Sequence, residues 1–176
     1  MYIFLTGFMA SGKTKNGRIM AKRLGYDFYD LDHLIEEESN GLTINEIYEK
    51  LGKKAFRKLE LDTLIAHTDN DRQNIIFSLG GGSFSNPIAR KWILNKGKVI
   101  FLNVPVGVLF QRLIVKKFTR PLLRHLNDQE LLDKIVNLRN KRLPDYMEAH
   151  HVIPNFRGSE RDRLELERII CNSHPN

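Results

Sequence analysis

Short runs of apolar residues alternate along the chain with longer stretches in which apolar residues recur at helical spacing. Short apolar runs bounded by turn residues are typical of strands buried in a parallel sheet. The runs that predict strands are residues 2–6, 28–32, 74–79, 98–104 and 151–153.

Capping and turn residues mark the ends of the predicted helices. Thr43 and Glu46 have the spacing of a capping box, and Gly25 is placed to end the first helix. Residues 114–126 are basic and lack a regular pattern. The predicted helices are residues 15–24, 34–39, 43–51, 54–67, 88–95, 106–113, 128–146 and 159–170.

This alternation predicts an α/β fold in three layers with a five-stranded parallel sheet. Two or three helices fall between the second and third predicted strands. We expect this insertion, at about residues 33–67, to lie at the carboxyl ends of the strands, where open α/β sheets bind ligands, and to hold the acceptor substrate. No linker or internal repeat interrupts residues 1–176, so we expect one domain.

The composition is ordinary for a globular protein, with 41% hydrophobic and 28% charged residues. No segment approaches the ~20 apolar residues that cross a bilayer, and the first residues lack the pattern of a secretory leader. We therefore expect a cytoplasmic protein. Cys171 is the only cysteine, which excludes an intramolecular disulfide and a cluster of cysteine ligands, and we expect it to serve in packing.

The net charge of +7 is compatible with a nucleic acid, a membrane surface or small acidic substrates. The basic residues are spread along the chain, without the aromatic-interleaved basic stripe of single-strand binders. Small polyanionic ligands therefore fit better, and a weak electrostatic affinity for nucleic acid stays open.

A phosphate-binding loop is predicted directly after the first strand. Residues 7–14 read Gly-Phe-Met-Ala-Ser-Gly-Lys-Thr and match the pattern G-x-x-x-x-G-K-[ST]. In this pattern backbone amides surround phosphate oxygens, Lys13 supplies a point charge, Thr14 offers a hydroxyl to Mg²⁺, and the next helix directs its N-terminus at the anion. The alternative is a glycine-rich turn that binds nothing.

Asp30 and Asp32 close the second predicted strand, so strand alternation sends both carboxylates to the same face. The two carboxylates of such a pair can have different roles: one belongs to the Mg²⁺ shell, and the other accepts a proton from, or orients, an attacking hydroxyl. The alternative is a solvated strand end that caps the following helix.

Three further motifs suit an anionic acceptor and a transferring phosphate. Arg57, with Glu60 on the same helical face, is suited to bidentate capture of a carboxylate, although an isolated pair of this kind is often only a surface ion pair. Residues 80–82 are three glycines that let a ligand approach the backbone or form a flexible turn. Arg120 lies in the basic irregular stretch, which we interpret as a mobile lid at about residues 114–126, and Arg142 ends the long helix.

Together these motifs resemble one family, the shikimate kinases, within the nucleoside-monophosphate-kinase-like P-loop fold. Their order and spacing match over nearly the whole chain, as far as about His151. The matching motifs are G-x-x-x-x-G-K-T at residues 7–14, D-x-D at 30–32, F-R-x-x-E at 56–60, G-G-G at 80–82, R-P-L-L at 120–123 and R-x-P-x-Y at 142–146.

The resemblance implies ATP-dependent phosphorylation of the 3-hydroxyl of shikimate, a step toward chorismate and the aromatic amino acids, with Mg²⁺ required. It implies that Asp32 binds the shikimate hydroxyls and is the candidate base, and that Lys13 and Arg120 hold phosphate. The implied shikimate site also includes Arg57, Gly80, Gly81, Gly82 and Arg142. The implied ATP site is Ala10, Ser11, Gly12, Lys13, Thr14, Lys15, Arg112, Arg120 and Arg157, with Arg112 stacking on adenine. The implied metal ligands are Thr14 and, through water, Asp30.

The chain departs from the family pattern at a few positions. Ala10 stands where the loop commonly has another glycine, and Lys15 where a second Ser or Thr is common. Residues 155–158 lack the proline usual in the adenine-contacting loop, which leaves Arg157 as the stacking candidate there.

Two other interpretations stay open. One is another small-molecule kinase of this fold, such as a gluconate or nucleotide kinase, against which the acceptor motifs argue. The other is a nucleotide-dependent regulatory or RNA-binding protein. The resemblance favours a monomer.

Overall fold

The computed structural model describes residues 1–68, 74–116, 123 and 125–172. Five strands form one sheet in the order β2-β3-β1-β4-β5, and every neighbouring pair is parallel. The predicted fold class is confirmed. The strands are β1 Tyr2–Thr6, β2 Asp27–Asp30, β3 Ile75–Ser78, β4 Lys98–Asn103 and β5 His151–Pro154.

Seven helices among the described residues cover the two faces of this sheet. A single 3₁₀ turn, Ser83–Ser85, separates β3 from the helix that follows it. The helices are α1 Lys13–Leu24, α2 Leu31–Glu38, α3 Ile44–Thr68, α4 Pro87–Lys96, α5 Val106–Lys116, α6 Asp128–Tyr146 and α7 Glu160–Cys171.

The sheet separates two apolar cores because side chains alternate between its faces. In β1, Ile3 and Leu5 belong to one core and Phe4 to the other, and all three are fully buried. The first core is closed by α1, α5 and α7, and the second by α2, α3 and α4. This arrangement gives the three layers that the sequence predicts.

Helix α6 crosses from one core to the other over the carboxyl edge of the sheet. Its first half places Leu131 and Ile135 in the first core, and its last residue, Tyr146, is fully buried in the second. Between them, Arg139 Nη2 donates to Asn103 Oδ1 at the end of β4, at 2.8 Å. The helix therefore lies across the strand ends, where loops from several strands meet.

Several predicted boundaries need correction. Strand β2 ends at Asp30, and Asp32 lies in the first turn of α2, because the Asp30 side chain caps that helix by accepting from the Asp32 amide at 3.2 Å. The expected alternation of Asp30 and Asp32 on one strand is therefore wrong. The predicted helices 43–51 and 54–67 are parts of α3, broken at Gly52, whose φ is 72°.

Two other expectations differ from the structure. Residues 114–116 belong to α5, so the predicted irregular stretch of 114–126 begins too early. Cys171, the last residue of α7, is exposed rather than packed in the interior. Among the described residues, no helix combines the length and the apolar character that crossing a membrane requires.

Candidate active site

The loop of residues 7–14 curls at the end of β1 through three residues of positive φ. These are Gly7 at 147°, Ala10 at 60° and Gly12 at 92°. A left-handed conformation is unfavourable for alanine, so Ala10 occupies the loop at a cost that a glycine would avoid. Lys13 is buried, and its ammonium donates to the carbonyl of Gly7 at 2.9 Å and of Phe8 at 3.1 Å. The cation is thus held inside the loop that the motif predicts.

Thr14 connects this loop to the end of β2. Its hydroxyl donates to Asp30 Oδ2 at 2.6 Å and lies 3.4 Å from the hydroxyl of Ser78 at the end of β3. Asp30 and Ser78 are register partners in the sheet, which is why both reach the same threonine. Three side-chain oxygens therefore meet beside the loop, one from the first turn of α1 and two from the ends of the neighbouring strands β2 and β3.

Asp32 follows in the first turn of α2, next to the glycine-rich turn after β3. Its pKa is raised from 3.8 to about 6, chiefly because burial disfavours the charged form. The carboxylate of Asp30 adds to this rise, and the ammonium of Lys13 opposes it. A carboxylate with a pKa near 6 is still ionised at neutral pH and is well matched to accept a proton.

Arg57 and Glu60 lie three residues apart on α3 and form an ion pair between Nη1 and Oε2. Unlike a surface pair, this one is largely withdrawn from solvent, since Glu60 is only 1% exposed. The other carboxylate oxygen, Oε1, accepts a hydrogen bond from the Ser83 hydroxyl at 2.6 Å. Glu60 therefore holds the guanidinium of Arg57 from one side and is itself held from the other.

The glycines at 80–82 bring these side chains close together. A Cβ added at Gly80 would lie 2.8 Å from Asp32 Oδ1 and 2.9 Å from Glu60 Oε1. A Cβ at Gly81 would lie 3.4 Å from the Met9 amide nitrogen, so the turn packs directly on the phosphate loop. A side chain at Gly80 would displace the neighbouring groups, which is the physical reason for glycine at that position, whereas a Cβ at Gly81 would make only ordinary contacts.

Gly81 and Gly82 also fix the end of α6. The carbonyl of Gly81 accepts from Arg142 Nη1 at 2.8 Å and from the Tyr146 hydroxyl at 2.5 Å. At Gly82, an added Cβ would clash with Arg57 Nη2 and would lie 3.3 Å from Arg142 Nη2. Two guanidinium groups from different helices therefore meet beside one glycine.

Arg112 joins the phosphate loop to the loop after β5. Its Nη1 donates to the carbonyls of Ala10 at 3.0 Å and Ser11 at 3.3 Å, and its Nη2 donates to the carbonyl of Arg157 at 2.6 Å. The side chain of Arg157 is exposed, as is that of Lys15 on the first turn of α1. The predicted adenine-binding residues thus lie together at one side of the loop.

Arg120 and most of the predicted lid, residues 117–122 and 124, lie outside the described residues. The other predicted site residues gather at the carboxyl edge of the sheet. Reasoning from the sequence missed the contributions of Ser78, Ser83 and Tyr146. Ser78 carried a signal, because it is a polar residue in an otherwise apolar strand, whereas the long-range partners of Ser83 and Tyr146 have no local signal.

Comparison with known proteins gives a consistent result. The family model for shikimate kinase matches residues 9–169. The chain belongs to the shikimate kinase family. A shikimate kinase of Bacteroides thetaiotaomicron is 38% identical over 169 residues, which cover 96% of this chain and 93% of that protein.

Solved structures of the family have the same fold. The crystal structure of a shikimate kinase from Bacteroides thetaiotaomicron superposes with a TM-score of 0.89 and 34% identity, covering 97% of this chain and 98% of that one. A shikimate kinase from Acinetobacter baumannii, solved in complex with shikimate, superposes with a TM-score of 0.81 and 34% identity, covering 99% and 95% of the two chains. The nucleoside-monophosphate-kinase-like P-loop fold of this chain is therefore shared by its family.

Proposed function

We propose that this protein transfers the terminal phosphoryl group of ATP to the 3-hydroxyl of shikimate, giving shikimate 3-phosphate for the synthesis of chorismate and the aromatic amino acids. The observation that carries the proposal is the meeting of Arg57 and Arg142 at Gly82, in the same glycine-rich turn that packs on the phosphate loop and has the Asp32 carboxylate beside Gly80. A small molecule with one carboxylate and several hydroxyls matches these groups.

The acceptor is held by charge and by hydrogen bonding. Arg57 and Arg142 bind the shikimate carboxylate, because guanidinium groups offer paired donors in the geometry of a carboxylate. The backbone at Gly80, Gly81 and Gly82 lies against the ring, and Asp32 binds the hydroxyls. Asp32 then accepts the proton of the attacking hydroxyl, for which its raised pKa is suited.

The donor is held by the phosphate loop. Its amides and the Lys13 ammonium bind the β and γ phosphates, and Arg120 adds positive charge over the transferring group. Arg112 and Arg157 hold the adenine. The ATP contacts are completed by Ala10, Ser11, Gly12, Thr14 and Lys15.

Mg²⁺ fits the oxygen cluster between the loop and the sheet. Thr14 Oγ1 and Asp30 Oδ2 are 2.6 Å apart, and Ser78 Oγ is 3.4 Å from the threonine oxygen. Hard divalent cations prefer oxygen ligands and retain water, so Thr14 would bind the ion directly and Asp30 through water. When bound, Mg²⁺ supplies charge neutralisation on the phosphates.

The wider organisation follows from the same proposal. Residues 1–176 form one kinase domain, in which α2 and α3, at about residues 33–67, are the substrate-binding insertion. The lid is the rest of the predicted stretch after α5, about residues 117–126. We propose that the enzyme works as a monomer in the cytoplasm and has no nucleic-acid or membrane partner.

The test is ADP release with Mg-ATP and a panel of acceptors: shikimate, quinate, gluconate and nucleoside monophosphates. We expect turnover with shikimate alone. Asp32→Asn should lower kcat by about 100-fold or more, the usual minimum for losing a general base, and Arg57→Ala should raise KM for shikimate. Arg168→Ala is the matched control, because that side chain is 65% exposed on α7.

Each other outcome points to a different interpretation. Turnover with another acceptor would support the assignment as a kinase and contradict the assignment of the shikimate site. Nucleotide binding without turnover would favour a regulatory protein, and salt-sensitive RNA binding would favour the nucleic-acid alternative.

A further inference from the structure

A polar cluster surrounds Gly80, at the start of the glycine-rich turn. An added Cβ at Gly80 would lie 2.7 Å from Ser83 Oγ, 2.8 Å from Asp32 Oδ1 and 2.9 Å from Glu60 Oε1. Ser83 is fully buried and Glu60 is 1% exposed. Polar groups this deeply buried need partners, so each hydrogen bond in the cluster constrains the others.

Glu60 divides its two oxygens between two partners. Oε1 accepts from the Ser83 hydroxyl at 2.6 Å, and Oε2 is paired with Arg57 Nη1. A buried carboxylate needs hydrogen-bond donors that compensate for its lost hydration. The serine therefore helps to hold the carboxylate that keeps Arg57 in place.

Ser83 also belongs to the backbone of the glycine-rich turn. Its amide donates to the Gly80 carbonyl at 3.2 Å, which closes the turn after β3. One residue thus fixes the turn through its backbone and the α3 carboxylate through its side chain. The same turn carries Gly82, where Arg57 meets Arg142.

We propose that Ser83 is a positioning residue for acceptor binding: its hydroxyl orients Glu60, Glu60 holds the Arg57 guanidinium at Gly82, and Arg57 binds the acceptor carboxylate. This inference rests on the proposed function, in which shikimate is the acceptor. Because Ser83 acts through Glu60 and Arg57, we expect its effect on acceptor affinity rather than on the phosphoryl transfer itself.

Ser83→Ala and Ser85→Ala provide a matched pair. Both serines lie in the same 3₁₀ turn, but Ser85 Oγ has no hydrogen-bond partner among the described residues. We expect Ser83→Ala to raise KM for shikimate by about tenfold, in line with the loss of a hydrogen bond to a charged group, while kcat and KM for ATP stay unchanged. Ser85→Ala should leave all three constants at wild-type values.

A double-mutant cycle tests whether Ser83 acts through Glu60. Glu60→Gln removes the ion pair with Arg57 through which Ser83 acts. Adding Ser83→Ala to this variant should therefore change KM for shikimate no further. Ser83→Cys, which retains a weak donor of similar size, should give an intermediate KM. Additive effects in the cycle, or equal effects of Ser83→Ala and Ser85→Ala, would overturn the proposal.

Failure of the inference is distinguishable from failure of the proposed function. If the wild-type protein does not phosphorylate shikimate, the proposed function fails, and the inference fails with it. If the wild type is active and Ser83→Ala keeps its KM for shikimate, the inference alone is wrong. Thermal unfolding of all variants identifies any variant whose higher KM reflects a general loss of folding.

Discussion

Arg57 and Arg142 direct one nitrogen each at the same point beside Gly82, although they come from α3 and α6 and carry like charges. Each has a compensating acceptor, since Arg57 pairs with Glu60 and Arg142 donates to the Gly81 carbonyl. Among the described residues, no carboxylate is shared by the two guanidinium groups at their meeting point. A carboxylate placed there would be attracted by both, which is why we propose that this contact determines acceptor affinity.

Gly82→Ala tests this meeting point. The φ of Gly82 is −124°, a value that alanine adopts readily, so the backbone is not strained. The new methyl would instead displace the end of the Arg57 side chain. We expect KM for shikimate to rise by about tenfold or more, the loss of one charge-assisted contact, with KM for ATP unchanged.

Gly107→Ala is the control for this substitution. An added Cβ at Gly107 would meet no atom within 4 Å among the described residues, and the position lies in α5. Its kinetic constants should match the wild type, and its stability should rise by about 0.5–1 kcal/mol because alanine is the better helix former. An unchanged KM for shikimate in Gly82→Ala would contradict the role given to Arg57.

Tyr146→Phe separates the phenolic hydroxyl from the packing of the ring. The ring is fully buried, 5.0 Å from the ring of Phe101, and phenylalanine retains this contact. The hydroxyl donates to the Gly81 carbonyl, which Arg142 would still satisfy. We expect urea unfolding to show a loss of about 1 kcal/mol, the ordinary worth of one hydrogen bond.

The same variant should also weaken acceptor binding, because the Gly81 carbonyl positions Arg142. Tyr48→Phe is the control, since Tyr48 is 37% exposed and its ring packs against that of Phe56, a contact that phenylalanine retains. A loss of stability without any rise in KM for shikimate would limit Tyr146 to a structural role.

Arg112→Lys tests the connection between the phosphate loop and the loop after β5. Arg112 uses Nη1 for the carbonyls of Ala10 and Ser11 and Nη2 for that of Arg157. A single ammonium does not reproduce this fork. We expect KM for ATP to rise by about tenfold, as for the loss of one charge-assisted hydrogen bond, and KM for shikimate to stay constant.

Arg168→Lys, at a largely exposed position on α7, is the conservative control for this pair of measurements. Equal KM values for ATP in the wild type and Arg112→Lys would mean that the arginine fork is dispensable for nucleotide binding.

The sheet was predictable from the sequence because its strands are buried. Runs such as Ile75–Ser78 and Lys98–Asn103 have to be apolar to lie inside three layers, and that requirement is visible residue by residue. The start of α2 was not predictable in this way. Asp30 both ends a strand and caps a helix, and only the cap interaction with the Asp32 amide decides where the strand stops.

The site was predictable as far as its motifs extend. Lys13, Arg57 and Arg142 stand in patterns whose chemistry is local, and the structure brings them to one edge. Ser83 and Tyr146 act on partners 23 and 65 residues away, so their roles depend on how the elements pack. Such contacts leave no periodicity or spacing in the sequence.

The pH dependence of kcat/KM for shikimate should report Asp32. Its pKa of about 6, raised by burial and by Asp30, means that the carboxylate gains a proton as the pH falls through 6. A protonated Asp32 no longer accepts the proton of the attacking hydroxyl, so kcat/KM should fall about tenfold for each pH unit below that value. Rate profiles between pH 4.5 and about 8, with circular dichroism to follow folding, provide the measurement.

A constant kcat/KM through pH 5, in protein that circular dichroism shows to be folded, would contradict this assignment of the base.

Asp32→Asn should also make the protein more stable at neutral pH while it removes activity. An acid whose pKa is higher in the folded state than in the unfolded chain destabilises the fold once it ionises. Below about pH 3.8 Asp32 is protonated in both states and carries no penalty; the penalty grows between 3.8 and about 6 and stays constant above. The full difference corresponds to about 2–3 kcal/mol, which asparagine avoids because it has no charge to bury.

Urea unfolding at pH 7.5 should therefore show a higher free energy of unfolding for Asp32→Asn than for the wild type, and this difference should vanish near pH 4. A variant less stable than the wild type at both pH values would mean that the Asp32 carboxylate stabilises the fold, and that burial is not what raises its pKa.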